Sequence, residues 1–331
     1  MFRHMFAFAL ALILATPAAA QDWRHRPSGI SLPSLPDGFR VGRETDNRRD
    51  GSDVFVQLGS DDEPATLYVY RSAYPGAAIW FERTRLAMRA NVGAPTGNVA
   101  PRSFTLGAAT APNGLREEID IPAGGRWRAT AVAIVQYGDW IVKARLTSAR
   151  LDAAGLGRRL DALLGALRFP AGAPAARPLI VPSPCGEANA MRGRARDRSS
   201  EDNVRAGIVL VGINAEARGR EGLVANPEAW CRASSRHPAA IVSLYRRRDG
   251  RAWVALVSDS GVAAGAEQVD DLGMAFAATP AATIFVQMYD GMPDPDPAIE
   301  AAIPYLVGRA QGPASVDAAT GTQISVSMPE R

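Results

Sequence analysis

YGDWIVKARLTSARLDAAGLGRRLDALLGALRFP, residues 137–170, is the stretch that decides the fold of the first half of the chain. Gly138-Asp139 separates two alternating runs and predicts a two-residue hairpin turn, because glycine adopts positive φ at little cost. One face of the following strand is apolar and carries Trp140, Val142, Ala144 and Leu146. A single helical stripe of leucines comes next, formed by Leu156, Leu160, Leu163, Leu164 and Leu167. We expect this stripe to pack on the apolar face of the sheet.

Working outward from this stretch, alternation and turn signals predict three strands, a helix, four strands and the closing leucine helix. The predicted strands lie at 39–41, 54–58, 67–70, 104–106, 115–121, 127–137 and 140–147, with the first helix at 77–90. Short turns favour a mainly antiparallel sheet with helices packed on it. The sequence therefore predicts an α+β fold in two domains, the first over 38–170 and a smaller α+β domain over 185–311.

The first predicted domain resembles a known fold. The runs VFVQLG, TLYVYR and YGDWIVKARLTS, followed by the leucine helix, resemble the PsbP-like fold, the family of the extrinsic photosystem II subunit and its non-photosynthetic relatives. The resemblance covers residues 38–170 and includes no diagnostic motif. It implies an accessory or binding role rather than catalysis, and it carries no functional residue over to this chain.

The first 20 residues are typical of a cleaved signal peptide. Arg3 and His4 precede an apolar run, and Ala18-Ala19-Ala20 supplies small residues for cleavage after Ala20. We expect a periplasmic or secreted protein with no transmembrane segment in the mature chain, because no other apolar run approaches the length of about 20 residues that a spanning helix needs. Residues 21–37 contain three prolines and predict an extended segment, with Trp23 and His25 mobile or on the surface.

The second half begins after a Pro/Ala-rich linker at 171–184. Its pattern predicts a buried strand at 207–211, a helix that starts at Asn226-Pro227-Glu228 and carries Cys231, and a hairpin around Arg248-Asp249-Gly250. A strand at 283–289 and a short helix from Pro297, interrupted at Pro304, follow. The polar tail at 312–331 either adds an edge strand or is disordered.

Cys185 and Cys231 are the two cysteines of the chain. In an oxidising compartment an even pair predicts a disulfide bond. Two free buried thiols and a single reactive cysteine are the alternatives.

Two short arginine runs are candidates for binding an anionic partner. They comprise Arg192, Arg194 and Arg196 in the first run and Arg246, Arg247 and Arg248 in the second. Solvated faces are the plainer interpretation; an anionic glycan or lipid surface is the functional one. Net charge of +3 and the absence of interleaved aromatic residues argue against nucleic acid. Lys143 is the single lysine, so arginine carries nearly all of the positive charge.

Catalytic signals are sparse. The one histidine in a predicted folded region is His237, so a hydrolase or thiol enzyme would have to use it with Cys231 or Ser260. No cluster has metal-ligand spacing, and no phosphate-loop or dinucleotide fingerprint is present, so we expect neither metal nor cofactor. The sequence therefore favours an exported, non-catalytic accessory or binding protein, whose partner is an unidentified protein or another component of the cell envelope.

Overall fold

A computed structural model describes residues 22–92, 100–171, 179–186, 191–197, 199–218, 222–235, 242–317 and 324–326. Within these ranges the chain forms four α-helices and two large sheets, and the strand pairs of both sheets are antiparallel. The predicted α+β class is confirmed. The predicted signal peptide, His237, half of the predicted linker and most of the predicted tail lie outside the described residues.

The first half forms a seven-stranded sheet with the strand order β3-β4-β5-β9-β8-β7-β6. Its strands are β3 (Glu44–Asp46), β4 (Asp53–Gly59), β5 (Pro64–Arg71), β6 (Arg102–Phe104), β7 (Gly114–Asp120), β8 (Ala129–Tyr137) and β9 (Trp140–Ser148). Helix α1 (Ala77–Val92) follows β5, and helix α2 (Ala153–Ala166) follows β9. The predicted element order is therefore present. The first strand was misplaced, because it begins at Glu44 rather than near Phe39.

The hairpin and the leucine helix form as the sequence predicts. Tyr137 pairs with Trp140 across the turn, where Gly138 has a φ of +59°. The side chain of Asp152 accepts a hydrogen bond from the Gly155 N–H and caps α2. The α2 leucines and the apolar face of β9 lie in one buried cluster. The interpretation of this stretch is confirmed.

Residues 22–37 contain two short strands and no helix, as predicted, but Trp23 and His25 are buried, so their predicted mobile or surface position was wrong. Strands β1 (Trp23–Arg24) and β2 (Ser31–Leu32) form a small hairpin, and Trp23, Ile30 and Leu32 are buried in the α2 cluster. His25 is buried as well; its Nε2 lies 2.8 Å from the Gly51 carbonyl and its Nδ1 2.7 Å from the Ser28 hydroxyl. Burial lowers the pKa of His25. Burial of these apolar side chains holds the segment against the rest of the protein despite its three prolines.

The second half forms a nine-stranded sheet with the order β11 to β18, in which β10 also pairs with β16. The strands are β10 (Arg194–Ala195), β11 (Trp230–Ala233), β12 (Ser243–Arg247), β13 (Ala252–Leu256), β14 (Ala263–Val269), β15 (Leu272–Ala278), β16 (Ala282–Asp290), β17 (Ala314–Asp317) and β18 (Ile324–Val326). Helices α3 (Ser200–Arg218) and α4 (Pro295–Leu306) complete it. The hairpin at Gly250 and the strand at 283–289 are confirmed. The helix predicted from Pro297 is present, but it begins at Pro295 and continues through Pro304 to Leu306, so the predicted interruption was wrong. Strand β18 corresponds to the edge-strand alternative for the tail.

Two element predictions for this half were wrong. Residues 207–211 lie within α3 and not in a strand. Asn226 precedes only a single 3-10 turn, Pro227–Ala229, after which Trp230 and Cys231 enter β11. Antiparallel pairing of β11 with β12 supplies the backbone hydrogen bonds that the predicted helix would have made.

The two sheets share one apolar layer. Helix α1 contacts β7 and β8 of the first sheet and β12 of the second, while α3 contacts β16, β17 and β18. A single buried cluster joins side chains of both halves, among them Trp80, Phe81, Leu210, Tyr245 and Phe276. Helices α2 and α4 cover the outer faces of the first and second sheet. The order of layers is α2, sheet, α1 with α3, sheet, α4.

A loop of the second half reaches the first sheet. The loop between β13 and β14 contains Gly261, whose carbonyl accepts a hydrogen bond of 2.8 Å from the Ala73 N–H. Gly261 has a φ of +79°, and a Cβ at this position would lie 2.3 Å from the Arg71 carbonyl oxygen. Only glycine fits this approach.

Charged side chains of the first half contact this loop. Lys143, on β9, is 2% exposed, and its Nζ lies 3.2 Å from Oδ2 of Asp259 in the loop and 4.0 Å from the ring centre of Tyr68. Arg83 of α1 approaches the same carboxylate at 3.6 Å and donates to the Val257 carbonyl. Burial lowers the pKa of Lys143. Burial would raise the pKa of Asp259, but Lys143 and Arg83 outweigh it and hold that pKa below its usual value.

A second ion pair crosses between the halves. Glu82 of α1 is buried and pairs with Arg232 of β11, and Arg85 lies 3.4 Å from the same Glu82 carboxylate. Arg85 and Arg89 also pair with Glu117, which is fully buried on β7. Glu82 and Arg83 are adjacent residues of α1, and each pairs with a different part of the second half. Glu82 pairs with Arg232 of β11, and Arg83 pairs with Asp259 in the loop between β13 and β14.

We expect Asp259→Ala to lower the free energy of unfolding by about 3 kcal/mol, because it leaves the buried ammonium of Lys143 without its partner. Lys143→Met should cost less than about 1 kcal/mol, since Asp259 is partly exposed and retains Arg83. Urea unfolding of both variants measures the two losses. Equal losses would contradict this asymmetry.

The contribution of Asp259 should depend on pH in one direction. Its folded pKa lies below the usual value of 3.8, so the stabilisation is complete above that pH and is lost as pH falls through the folded pKa. The difference in unfolding free energy between the wild type and Asp259→Asn should therefore stay constant from about pH 7 to about pH 5 and shrink as the pH falls from about 5 to about 2. Urea unfolding at these pH values checks it; a difference that grows on acidification would refute the assignment.

Candidate anion-binding site

A cavity of 690 Å³ lies on the second half, beside the paired strands β11 and β12. The turn at Arg248-Asp249-Gly250 forms one side of it, and the segment before β10 forms another. The loop after β16 and the residues Cys185 and Gly186 complete its walls. At Gly193 the backbone packs so closely that a Cβ would lie 2.3 Å from the Gly291 carbonyl oxygen. This contact holds the segment with Arg192 against the loop that follows β16.

The cavity brings together the two arginine runs that the sequence singles out. Arg192 of the first run and all three arginines of the second line it, namely Arg246, Arg247 and Arg248. Arg194 and Arg196 do not line it. Arg194 lies on the short strand β10, and the guanidinium of Arg196 lies 3.6 Å from the Asp290 carboxylate.

Two of the four lining arginines are engaged by the protein. Arg247 pairs with Asp249 at 3.0 Å and with Glu267 at 3.3 Å. Arg248 donates to the Glu228 carbonyl at 2.8 Å and to the Ser183 hydroxyl at 2.6 Å. These two side chains are therefore held in place as parts of the wall.

Arg192 and Arg246 differ from them. In the part of the chain that the structure describes, neither forms an ion pair with a carboxylate. The Nε of Arg246 is buried without a hydrogen-bond acceptor. A buried guanidinium nitrogen without an acceptor is unfavourable unless an anion supplies one.

Carboxylates at the rim limit the charge of the cavity. Asp249 and Asp290 are exposed lining residues, and each faces an arginine partner. Burial would raise the pKa of Asp249, but the Arg251 backbone N–H and the guanidinium of Arg247 lower it below its usual value. With these two acids paired, the charge that the described lining residues leave for a ligand is that of Arg192 and Arg246. Planar guanidinium groups suit carboxylate, phosphate and sulfate oxygens.

The predicted disulfide is present and lies in the cavity wall. Cys185 and Cys231 are bonded, and neither cysteine is free. Cys231 stands directly opposite Arg246 in the register of β11 and β12. The backbone N–H of Cys185 donates to the Arg232 carbonyl at 2.8 Å. The bond therefore fixes the segment around Cys185 beside Arg246.

The residues proposed for catalysis are not assembled in the described part of the chain. Cys231 has no free thiol because it is in the disulfide. The Ser260 hydroxyl lies 2.6 Å from the Ser258 hydroxyl, and His237 is outside the described residues. In the same described ranges, no group of three or more His, Cys, Asp or Glu side chains is placed to hold a metal ion.

A second cavity, of 820 Å³, lies at the end of α2 in the first half. Tyr137 and Phe169, whose ring centres are 4.9 Å apart, form part of its wall. The one charged lining residue, Arg168, donates to carbonyls at the end of α2. Among the described residues that line this cavity, no charged group lacks a partner, so it is the weaker candidate.

Sequence reasoning missed three features that shape the site and its support. They are Asp259, the close approach at Gly193, and Asp290 at the rim. Asp290 carried a signal as an acidic loop residue, but the position of Asp259 depends on a loop contact distant in sequence. Lys143 stood out as the only lysine, although nothing near it indicated burial.

Compared with protein-family models, curated proteins and solved structures, the chain matches none of them. Of the helices in the described ranges, none combines the length and the apolar character that crossing a membrane requires.

We expect the unfolded, unreduced protein to release no thiol to an alkylating reagent and two thiols after reduction. The bond joins residues 46 apart, so Cys185→Ser/Cys231→Ser should lower the unfolding free energy by about 4 kcal/mol on the chain-entropy model. Mass spectrometry of the alkylated chain and urea unfolding measure the two results. One free thiol before reduction would show that the pairing is wrong.

Proposed function

We propose that this chain is an exported, non-catalytic binding protein of the cell envelope that takes the anionic group of a glycan in the arginine-lined cavity. The observation that carries the proposal is the meeting of two sequence-distant arginine runs in one cavity, with Arg192 and Arg246 left without carboxylate partners among the described residues. The predicted signal peptide at 1–20 and the disulfide support the envelope location.

The shape and surroundings of the cavity favour a glycan over a lipid surface. A volume of 690 Å³ falls in the range of sites that enclose small ligands, about 300–1,000 Å³. Exposed apolar side chains next to basic ones strengthen binding at a membrane surface, because they insert between the headgroups. In the described residues, the exposed large apolar side chains are Ile180, Val204, Ile208 and Val307, and none of them lines this cavity.

The organisation of the chain into two domains with a PsbP-like first domain belongs to the same proposal. Its support is the order of three strands, a helix, four strands and a helix in the first half. An accessory role fits such a domain. The shared apolar layer indicates that the two proposed domains are docked on each other rather than separate.

We expect binding of short anionic oligosaccharides that depends on Arg246. Titration calorimetry with tetragalacturonate and with a heparin-derived tetrasaccharide tests carboxylate and sulfate groups, and maltotetraose is the uncharged control. Arg246→Ala should weaken binding at least about tenfold, because a hydrogen bond to a charged group contributes about 1.5–3 kcal/mol. Added salt should weaken binding further.

Arg158→Ala is the matched control, because Arg158 is exposed on α2, outside the cavity. It should bind like the wild type. Equal binding by Arg246→Ala and the wild type, or no binding of either anionic oligosaccharide, would overturn the proposal. Binding to phosphatidylglycerol vesicles without binding to the oligosaccharides would assign the surface to lipid instead.

A further inference from the structure

The disulfide occupies the same wall of the cavity as Arg246. Cys185 and Cys231 both line the cavity, and Cys231 is the cross-strand neighbour of Arg246. Directly opposed residues of an antiparallel pair have Cβ atoms about 4.5–5.5 Å apart. The sulfur of Cys231 and the base of the Arg246 side chain are therefore close neighbours on one sheet face.

This neighbourhood favours the reduced form of the bond. A nearby guanidinium stabilises a thiolate relative to the neutral thiol. Stabilising the reduced form makes a disulfide easier to reduce. The chain-entropy effect favours the oxidised disulfide, and Arg246 therefore counteracts part of that stabilisation.

The two sulfurs differ in access. Cys185 is partly exposed, whereas Cys231 is 6% exposed. An incoming thiolate therefore reaches the Cys185 sulfur first, and the sulfur that leaves is that of Cys231, beside Arg246. Thiol–disulfide exchange is faster when the leaving thiolate is stabilised.

Few contacts besides the bond hold this part of the wall. Around Cys185, the described chain is tied to β11 by backbone hydrogen bonds from Cys185 to Arg232 and from Arg232 to Ser183, each of 2.8 Å. The Arg248 guanidinium adds a hydrogen bond to the Ser183 hydroxyl. Loss of the covalent bond leaves the Cys185 end of the wall dependent on these hydrogen bonds.

We propose that Cys185–Cys231 is a reducible disulfide that switches the anion-binding cavity off when a dithiol reductant opens it. This proposal rests on the function proposed above. One thiolate of the reductant bonds to the Cys185 sulfur, the Cys185–Cys231 bond breaks, and Cys231 leaves as a thiolate. The second thiol of the reductant then displaces Cys185. Two electrons and two protons pass from the reductant, which becomes a disulfide, to the two cysteines.

Both consequences of reduction oppose ligand binding. The Cys231 thiolate pairs with Arg246 and competes with the ligand for that guanidinium. The wall residue Cys185 is no longer held by a covalent bond to Cys231, the cross-strand neighbour of Arg246. The oxidised protein is therefore the form that binds.

Two measurements on the folded full chain test the switch. Alkylation and mass spectrometry across ratios of reduced to oxidised dithiothreitol give the midpoint of reduction, with circular dichroism as the check on folding. Arg246→Gln should need an about tenfold higher ratio for half reduction, equivalent to about 30 mV. Arg158→Ala should keep the wild-type midpoint. Calorimetry with tetragalacturonate should show at least tenfold weaker binding to the reduced wild type.

The outcomes separate this switch from the binding function itself. Equal binding by the oxidised and reduced forms overturns the switch and leaves the binding function standing. An unchanged midpoint in Arg246→Gln, or a folded wild type that excess dithiothreitol fails to reduce, also overturns it. If neither form binds the oligosaccharide, the binding function fails and the switch with it, while the midpoint still reports whether Arg246 stabilises the thiolate.

Discussion

Helix α1 is the element on which the arrangement of the two sheets depends, because two of its consecutive residues, Glu82 and Arg83, both form ion pairs with the second half. Arg83 meets Asp259 beneath the single lysine, and Glu82 meets Arg232 on β11. Arg232 also carries the backbone hydrogen bonds that position Ser183 and Cys185. Buried charges that lose a partner are costly, so these pairs select one docking geometry. The wall of the arginine cavity is thereby coupled to the first sheet through one ion pair.

The elements of the first half could be predicted from the sequence because its local signals agree with its tertiary structure. Strict alternation, a Gly-Asp turn and a leucine stripe each specify one element, and packing of α2 on β9 uses them all. The second half lacks that agreement. Helix α3 buries Leu210 yet exposes Val204 and Ile208, so its apolar residues show no helical stripe. Strands β14 and β15 are rich in alanine, which carries little strand preference, and only pairing with their neighbours makes them strands.

The candidate site was predicted in its components but not in its assembly. Residue type identified the arginine runs, and cysteine number identified the disulfide. Nothing in the sequence indicated that Arg192 would share a cavity with Arg246 while Arg194 would not, since that depends on the close backbone contact at Gly193. Burial of Lys143 under Asp259 likewise arises from a long-range loop contact that leaves no local pattern.

The lone lysine has a practical consequence for following the folding of this protein. A protease that cleaves only after lysine has a single target in the whole chain, the bond after Lys143 in the middle of β9, a central strand of its sheet. A protease needs an extended, accessible segment. Fraying of loops or chain ends exposes no cleavage site for this protease, because those segments contain no lysine. Each cleavage event would therefore count one opening of the first sheet, and the chain contains its own reporter for that rare event.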